Sequence, residues 1–252
     1  MNKIDIGRVK GKKILAIGAH PDDVDFSCGG TLLLLSKQNR IVLACVTSGQ
    51  MGTHDEDSDK TDLMTVRERE QREAGARYKA SQVLFLQFPD FFVSEQPKRL
   101  RKRLIKLLVR VRPDIVITHD PWSEYFPYHP DHRVVGFAVY DALLASTLPL
   151  YLQKKSVAGV ALSPRPELWL MHPHEPSHAV DITSVYPKKI AAIKLHKSQF
   201  DGVFVWEKVE KRLVKIFSGV GKEIGARQAE AFRIISPEGD AVFSTERKSK
   251  RA

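Results

Sequence analysis

The chain has 252 residues, 42% hydrophobic and 28% charged, with a formal net charge of +10 and two cysteines. That is enough chain for one full core, alone or with a small appendage, and the composition is that of a globular protein rather than a disordered or fibrous one. No run reaches 18 apolar residues and the start, MNKIDIGRVKGKK, lacks an apolar h-region, so neither a membrane span nor a signal peptide is expected and the cytoplasm is.

Ile14 to Ala19 is an apolar run of strand length without a polar face, which reads as a buried parallel strand. It stops at His20-Pro21-Asp22-Asp23, where the proline cannot donate to a ladder. Gly29-Gly30 then reads as a turn, Thr31 as a helix N-cap, and Leu32 to Lys37 as the helix. Ile41 to Thr47 is a second buried strand, ending in a Ser48 to Gly52 loop. His54 to Asp62 is acidic but lacks the spacing and central glycine of a calcium loop, and reads as exposed loop. Thr65 to Tyr78 is a helix that opens on a capping box, Thr65 with Glu68.

Val83 to Phe88 is a third strand, broken by Pro89-Asp90. Lys98 to Arg112 is an amphipathic helix with Leu100, Leu104, Leu107, Leu108 and Val111 on one face, ended by Pro113. Asp114 to Thr118 is a fourth strand, followed by His119-Asp120-Pro121 and an aromatic loop from Trp122 to Arg133. Val134 to Leu148 is the next helix, Glu167 to Met171 and His178 to Ile182 are shorter strands, and Val185 to Ser198 and Lys208 to Gly225 are helices. Strands alternating with helices predict an α/β fold, a mostly parallel, doubly wound sheet with helices on both faces. No repeat or linker interrupts it, so residues 1–252 read as a single domain. Lys98 to Arg103, Lys154-Lys155, Lys188-Lys189 and Arg247 to Arg251 carry much of the charge excess. They read as solvated helix faces and a flexible basic tail at about residues 246–252. Cys28 and Cys45 fit no metal or disulfide spacing, which agrees with a reducing compartment.

Two clusters carry the chemistry. His20, Asp22 and Asp23 follow the first strand; His129-Pro130-Asp131-His132 lies just past the fourth. In a parallel sheet both sit on the carboxyl edge and can meet across the switch point. A mononuclear catalytic zinc takes three protein ligands, and His20, Asp23 and His132 supply two imidazoles and a carboxylate. Asp22 and His129 are left beside the metal, a base for water and a proton or hydrogen-bond donor opposite. Asp131 is expected to orient His129 through its ring N–H and raise its pKa. This is a kit for hydrolysing an amide or ester.

AHPDDVDFSCGGT followed about a hundred residues later by HPDH resembles the PIG-L/LmbE-like family of zinc-dependent N-acetylglucosamine deacetylases. VTSGQMGT, Arg67 with Glu70, FLQFPD, DITSVYPKKIAAIKLHKSQF and AEAFRII resemble further family stretches, so the likeness covers nearly the whole chain. The resemblance implies a Rossmann-like fold and removal of the N-acetyl group from a GlcNAc-containing small molecule or conjugate. It implies His20, Asp23 and His132 as ligands of Zn2+, with Fe2+ an accepted substitute, Asp22 as general base, and His129 as acid or oxyanion partner. Arg67 matches a position that holds sugar hydroxyls. The pattern departs at Val24, with Asp25 one place later, at Gln50, where some members have a substrate-contacting Glu, and at Lys79, which replaces a usual Gly.

Gln50, Asp90 and Tyr128 complete the expected substrate contacts with Arg67; Trp122, Tyr125 and Phe126 are a sugar platform or a lid. His119 and Asp120 suit support of the metal ligands. His172, His174 and His178 read as surface loop histidines, His196, Ser198 and Gln199 as a polar network below the site, and Cys28 as packing. The expected partner is an N-acetylated amino sugar, with no nucleic acid and no membrane, and the chain is expected to form a homo-oligomer. A metallophosphoesterase and a polyanion-binding protein are the rival readings; the first needs more ligands on more strand ends, and the second lacks a recognised nucleic-acid motif.

Overall fold

Four apolar runs lie side by side in one half of a single sheet in the computed structural model, which describes residues 1–57, 59–123, 129–155, 157–200 and 205–236. The elements in chain order are β1 (Asn2–Lys3), β2 (Lys13–Gly18), α1 (Asp23–Leu35), β3 (Arg40–Thr47), α2 (Lys60–Arg77), β4 (Gln82–Phe88), α3 (Pro97–Val111), β5 (Ile115–His119), α4 (Pro130–Ser146) and α5 (Pro149–Lys154). There follow β6 (Glu167–Met171), β7 (His178–Asp181), α6 (Tyr186–Ile193), α7 (Lys197–Phe200), α8 (Trp206–Glu223) and β8 (Ala229–Ile235). The sheet order is β1-β7-β8-β6-β5-β2-β3-β4. All pairings are parallel except those of β8, which runs antiparallel to β6 and β7.

The chain leaves β2 toward β3 and β4, then returns to lay β5 on the other side of β2. This reversal is the topological switch point, where open α/β sheets leave a crevice at the carboxyl ends of their strands. Side chains of β2 alternate between two cores. Leu15 and Ile17 face one side with Leu100, Leu104 and Leu108 of α3 and Val135 and Val139 of α4. Ile14 and Ala16 face the other with Cys28 and Leu32 of α1, Ile190 and Ile193 of α6, and Phe217 of α8. Each fully buried Leu of α3 contributes ~1.5–3 kcal/mol by leaving water, so the i, i+4, i+8 leucines suffice to seat that helix.

Several element boundaries differ from the sequence reading. α1 begins at Asp23, so Thr31 is inside the helix and caps nothing. Gly29 and Gly30 are not a turn; they let the helix pass close to its neighbours. A Cβ on Gly29 would stand 2.8 Å from the Tyr78 hydroxyl, and one on Gly30 would stand 2.8 Å from Ile182 Cγ2. Cys28 is therefore buried in the helix rather than in a glycine turn. α2 starts one turn before the expected capping box: Asp59 accepts from the amides of Thr61 and Asp62. α4 starts at Pro130, which puts the second cluster at a helix N-terminus. The expected 185–198 helix is two pieces, α6 and α7. β1, α5 and β8 were not anticipated.

Candidate active site

The two His-Pro turns meet. His20 lies two residues past the end of β2, Asp23 opens α1, and His132 lies in the first turn of α4. His132 Nε2 is 3.0 Å from Asp23 Oδ1 and 3.3 Å from His20 Nδ1, and His20 Nδ1 is 3.5 Å from Asp23 Oδ2. Two ligand atoms each ~2.0–2.1 Å from a tetrahedral zinc stand ~3.3 Å apart, and the sides of this triangle, which uses both Asp23 oxygens, are on that scale; His20 with His129 and His132, and Asp23 with His119 and His132, are groups that could each hold a metal ion. Two imidazole nitrogens facing each other at that separation gain nothing unless a proton or a cation lies between them. The donor set, two nitrogens and a carboxylate, suits zinc or ferrous iron.

The surroundings orient these three side chains. His20 Nε2 is 3.0 Å from Asp90 Oδ1 and 3.5 Å from Asp131 Oδ2, which leaves Nδ1 as the lone-pair atom of the ring. Burial pulls the His20 pKa down, but Asp23, Asp131 and Asp90 together hold it well above its ordinary value. Burial likewise works to raise Asp23, yet His132, His119 and His20 keep it well below the carboxylate range. Positive charge is thus favoured at this point, on a ring or on a cation among the ligands. His119 Nε2 is 3.1 Å from Asp23 Oδ2, and its ring stacks on that of His132 with centroids 4.1 Å apart. Burial, then the neighbouring His132, takes His119 down to about 3, so it is a neutral support beneath the ligands.

Asp22 stands beside the triangle in a left-handed conformation, φ 93°, unusual for a residue with a Cβ. Its amide donates to Gln71 Oε1 at 2.7 Å, and its Oδ2 is 3.3 Å from Arg67 Nη2. Burial lifts its carboxyl to about 6, with Arg67 pulling against that. Gln71 was not anticipated as a support. It lies four residues after Arg67 on α2, so i, i+4 spacing from that residue was the signal that could have found it. Gln71 Nε2 donates to Asp25 Oδ2 at 2.9 Å, and Asp25 also accepts from the Tyr78 hydroxyl and faces His196 Nε2 at 3.2 Å. Ser198 donates to Glu70 through its amide and its hydroxyl. His196 and Ser198 therefore belong to a polar network under the site.

His129 is the N-cap of α4. Its Nδ1 accepts from the Asp131 amide at 3.2 Å, which puts the ring proton of the neutral form on Nε2. The expected pairing of the Asp131 carboxylate with the His129 ring is not what the structure holds. Asp131 Oδ2 instead accepts from the Phe91 amide at 2.8 Å and faces His20. Burial, followed by His20 and His132, lowers His129 to about 4; the pull of Asp131 in the other direction is outweighed, contrary to the expected rise.

These groups line a cavity of about 580 Å³ together with Arg67, Asp90, Met51, Phe91, His172 and a face of α8. The Arg67 guanidinium is buried: Nη1 donates to Gly49 O and Nη2 to Pro21 O, each at 2.8 Å, while Nε has no partner among the described residues. Gly49, at φ +69°, crosses close enough that a Cβ there would stand 2.5 Å from Arg67 Cζ. Asp90 lines the cavity, but its oxygens are engaged by His20 and by the Met51 amide at 2.9 Å. Gln50 is half-buried and does not line the cavity; its neighbours Met51 and Gly52 do. His172, expected on the surface, is exposed yet lines the cavity. Tyr128, Tyr125 and Phe126 lie outside the described residues. Trp122 is 51% exposed and packs edge-on against Phe137 and Tyr140 of α4 rather than lining the cavity.

Comparison with known proteins places the chain among its relatives. Residues 15–143 match the family model described as PIG-L, GlcNAc-PI de-N-acetylase. The chain is similar to the diacetylchitobiose deacetylase of Thermococcus kodakarensis, 33% identical over 227 residues, which are 89% of this chain and 83% of that protein. It is 27% identical to a probable N-acetyl-α-D-glucosaminyl L-malate deacetylase 2 of Bacillus anthracis, over 75% of this chain and 82% of that one. Among solved structures, the N,N′-diacetylchitobiose deacetylase of Pyrococcus horikoshii bound to an inhibitor superposes with a TM-score of 0.84 at 32% identity, covering 93% of this chain and 88% of that chain.

Proposed function

Because this chain belongs to the PIG-L, GlcNAc-PI de-N-acetylase family, we propose that it is a zinc-dependent deacetylase that hydrolyses the N-acetyl amide of a GlcNAc-containing small molecule. The observation that carries the reading is the meeting of His20 Nδ1, the Asp23 carboxylate and His132 Nε2, flanked by a carboxylate on one side and an imidazole on the other. A divalent cation held by those three supplies the Lewis acidity that polarises an acetyl carbonyl and acidifies water.

The chain's own groups do the rest. Asp22 takes the proton of the attacking water, and Arg67 Nη2 fixes the direction of its Oδ2. His129, with its Nδ1 occupied by the helix end, presents Nε2–H to the developing oxyanion. Asp22, protonated by the first step, returns that proton to the leaving amine. Asp90 and Asp131 act through His20 and are positioning residues. Arg67 lines the cavity beside Asp22 and is the residue we assign to a sugar hydroxyl.

Among the described residues no helix is long and apolar enough to cross a membrane. The two free, buried cysteines support a reducing compartment such as the cytoplasm. Phe137, Tyr140 and Leu144, exposed on α4 at 41%, 41% and 51%, support a homo-oligomer. The test is amine release from a panel of N-acetylated sugars by zinc-loaded protein. Amine from GlcNAc-containing substrates is the expected result; none from any of them, with the metal bound, would overturn the reading.

A further inference from the structure

Lys189 of α6 and Glu230 of β8 form an ion pair, Nζ to Oε1 2.7 Å, and both side chains are wholly buried. The Lys188-Lys189 pair reads in the sequence as a solvated helix face; Lys188 is exposed, but the Lys189 ammonium lies inside the fold. Neither residue of the ion pair lines the cavity. A buried pair of this kind stabilises a fold little, because the desolvation of two charges offsets their attraction and apolar side chains of the same size pack as well. Its contacts point to a different role.

Lys189 Nζ also donates to the carbonyls of Asp25 at 2.9 Å and Phe26 at 2.6 Å, which uses all three of its N–H groups. Glu230 Oε1 accepts from the Gly30 amide at 2.8 Å, and Oε2 accepts from the amide of Thr31 at 2.7 Å and from its hydroxyl. All of these groups lie within α1. A regular helical ladder pairs the amide of residue 30 with the carbonyl of residue 26. The ion pair enters at that rung, its cation on the carbonyl and its anion on the amide, as side chains do where a helix bends.

Carbonyls that face a cation and amides that face a carboxylate are the marks of helix ends. Lys189 therefore closes the first turn of α1, and Glu230 opens the remainder. That first turn carries Asp23 and follows directly on Asp22. Its N-terminal end has no side-chain cap, and Lys189 holds its C-terminal end. We propose that Lys189 and Glu230 are positioning residues, whose ion pair divides α1 and holds its first turn where the Asp22 carboxylate faces the cavity beside Asp23. This rests on the deacetylase reading and extends its machinery to two residues outside the cavity.

The experiment uses the full-length double variant Lys189→Met/Glu230→Gln, which removes both charges, keeps both shapes and lets the rung between residues 26 and 30 close. Amine release from the panel of N-acetylated sugars is measured on zinc-saturated protein. A base displaced by ~1 Å costs ~10²-fold, so kcat is expected to fall by that factor with KM unchanged. In an Asp22→Asn background the same double change is expected to add little, because its effect passes through Asp22. Hydrogen exchange on the same variant gives a readout independent of turnover. Peptides covering residues 22–27 are expected to exchange ~10-fold faster than in the parent, with residues 32–35 and β3 unchanged. An unchanged kcat in the folded variant, an equal loss in the Asp22→Asn background, or exchange that rises alike throughout the chain would each overturn the proposal. Should the double variant not fold, Thr31→Val removes one bond to Glu230 and is expected to speed exchange of residues 22–27 by ~2–10-fold; no change there overturns it too. If the parent releases no amine from any sugar, the deacetylase reading falls, and the exchange pattern still decides whether the pair holds the turn.

Discussion

The two His-Pro turns have the same first three residues in type, His-Pro-Asp, and each follows a parallel strand and opens a helix. They solve the helix end in opposite ways. At α4 the side chain of His129 is the cap, its Nδ1 taking the Asp131 amide. At α1 the N-cap is Asp22, and its carboxylate makes no capping bond at all. The backbone there is held in a left-handed turn by Gln71, and the freed carboxylate faces the cavity beside Arg67. In the proposed mechanism one turn therefore uses its cap to aim a hydrogen-bond donor at the oxyanion. The other gives up the ~1 kcal/mol a side-chain cap contributes, and accepts backbone strain, to present the group proposed as the base. Two nearly identical tetrapeptides are thus fitted to different tasks by how each ends its helix.

Breaking the base side should have the larger effect. Asp22→Asn removes the proton acceptor while leaving His20, Asp23 and His132 in place. We expect kcat to fall by ~10²–10⁴ with metal content unchanged, measured by amine release and elemental analysis on the same sample. On the other turn His129→Asn retains an acceptor for the Asp131 amide and withdraws the Nε2–H. The expected loss is ~10²–10³ in kcat, with thermal stability close to that of the parent. Equal stability loss in both variants would say that the two caps are alike, against the comparison drawn here.

Gln71→Leu tests the strained turn without touching a reacting group. It leaves the Asp22 amide without its partner at a buried position, which should cost ~1–3 kcal/mol of stability in urea unfolding. Lower kcat with unchanged metal content is expected alongside. The smallest effect on stability should come from Asp22→Gly, which loses turnover as Asp22→Asn does. Glycine adopts φ 93° without penalty, so the protein should gain ~1 kcal/mol while losing turnover. Destabilisation by that change would mean the turn is not strained.

Much of this was legible in the sequence. β2, β3, β4 and β5 are short apolar runs bounded by proline or polar turns, and their length and bounds, against the 3.6-residue period of α3, set them apart from it. His20, Asp23 and His132 announced themselves by type and by their places after strands. Helix starts were read less well, because α1 has no side-chain cap and because Gly29 and Gly30 answer to tertiary neighbours, Tyr78 and Ile182, rather than to a local turn. β8 escaped because it enters the sheet backwards between β6 and β7, a placement no local pattern encodes. The direction in which Asp131 faces was misread for a related reason. Its acceptor role is set by the Phe91 amide and His20, forty and more residues away in sequence. The α8 wall of the cavity carried no motif, since its residues look like any amphipathic helix.

The central claim is that His20, Asp23 and His132 share one cation. Zinc-edge X-ray absorption on protein loaded with one equivalent of zinc measures that directly. The account predicts two imidazole nitrogens and a carboxylate oxygen at ~2.0–2.2 Å, with one imidazole lost and the zinc released in His132→Ala. A zinc shell that His132→Ala leaves unchanged would contradict it.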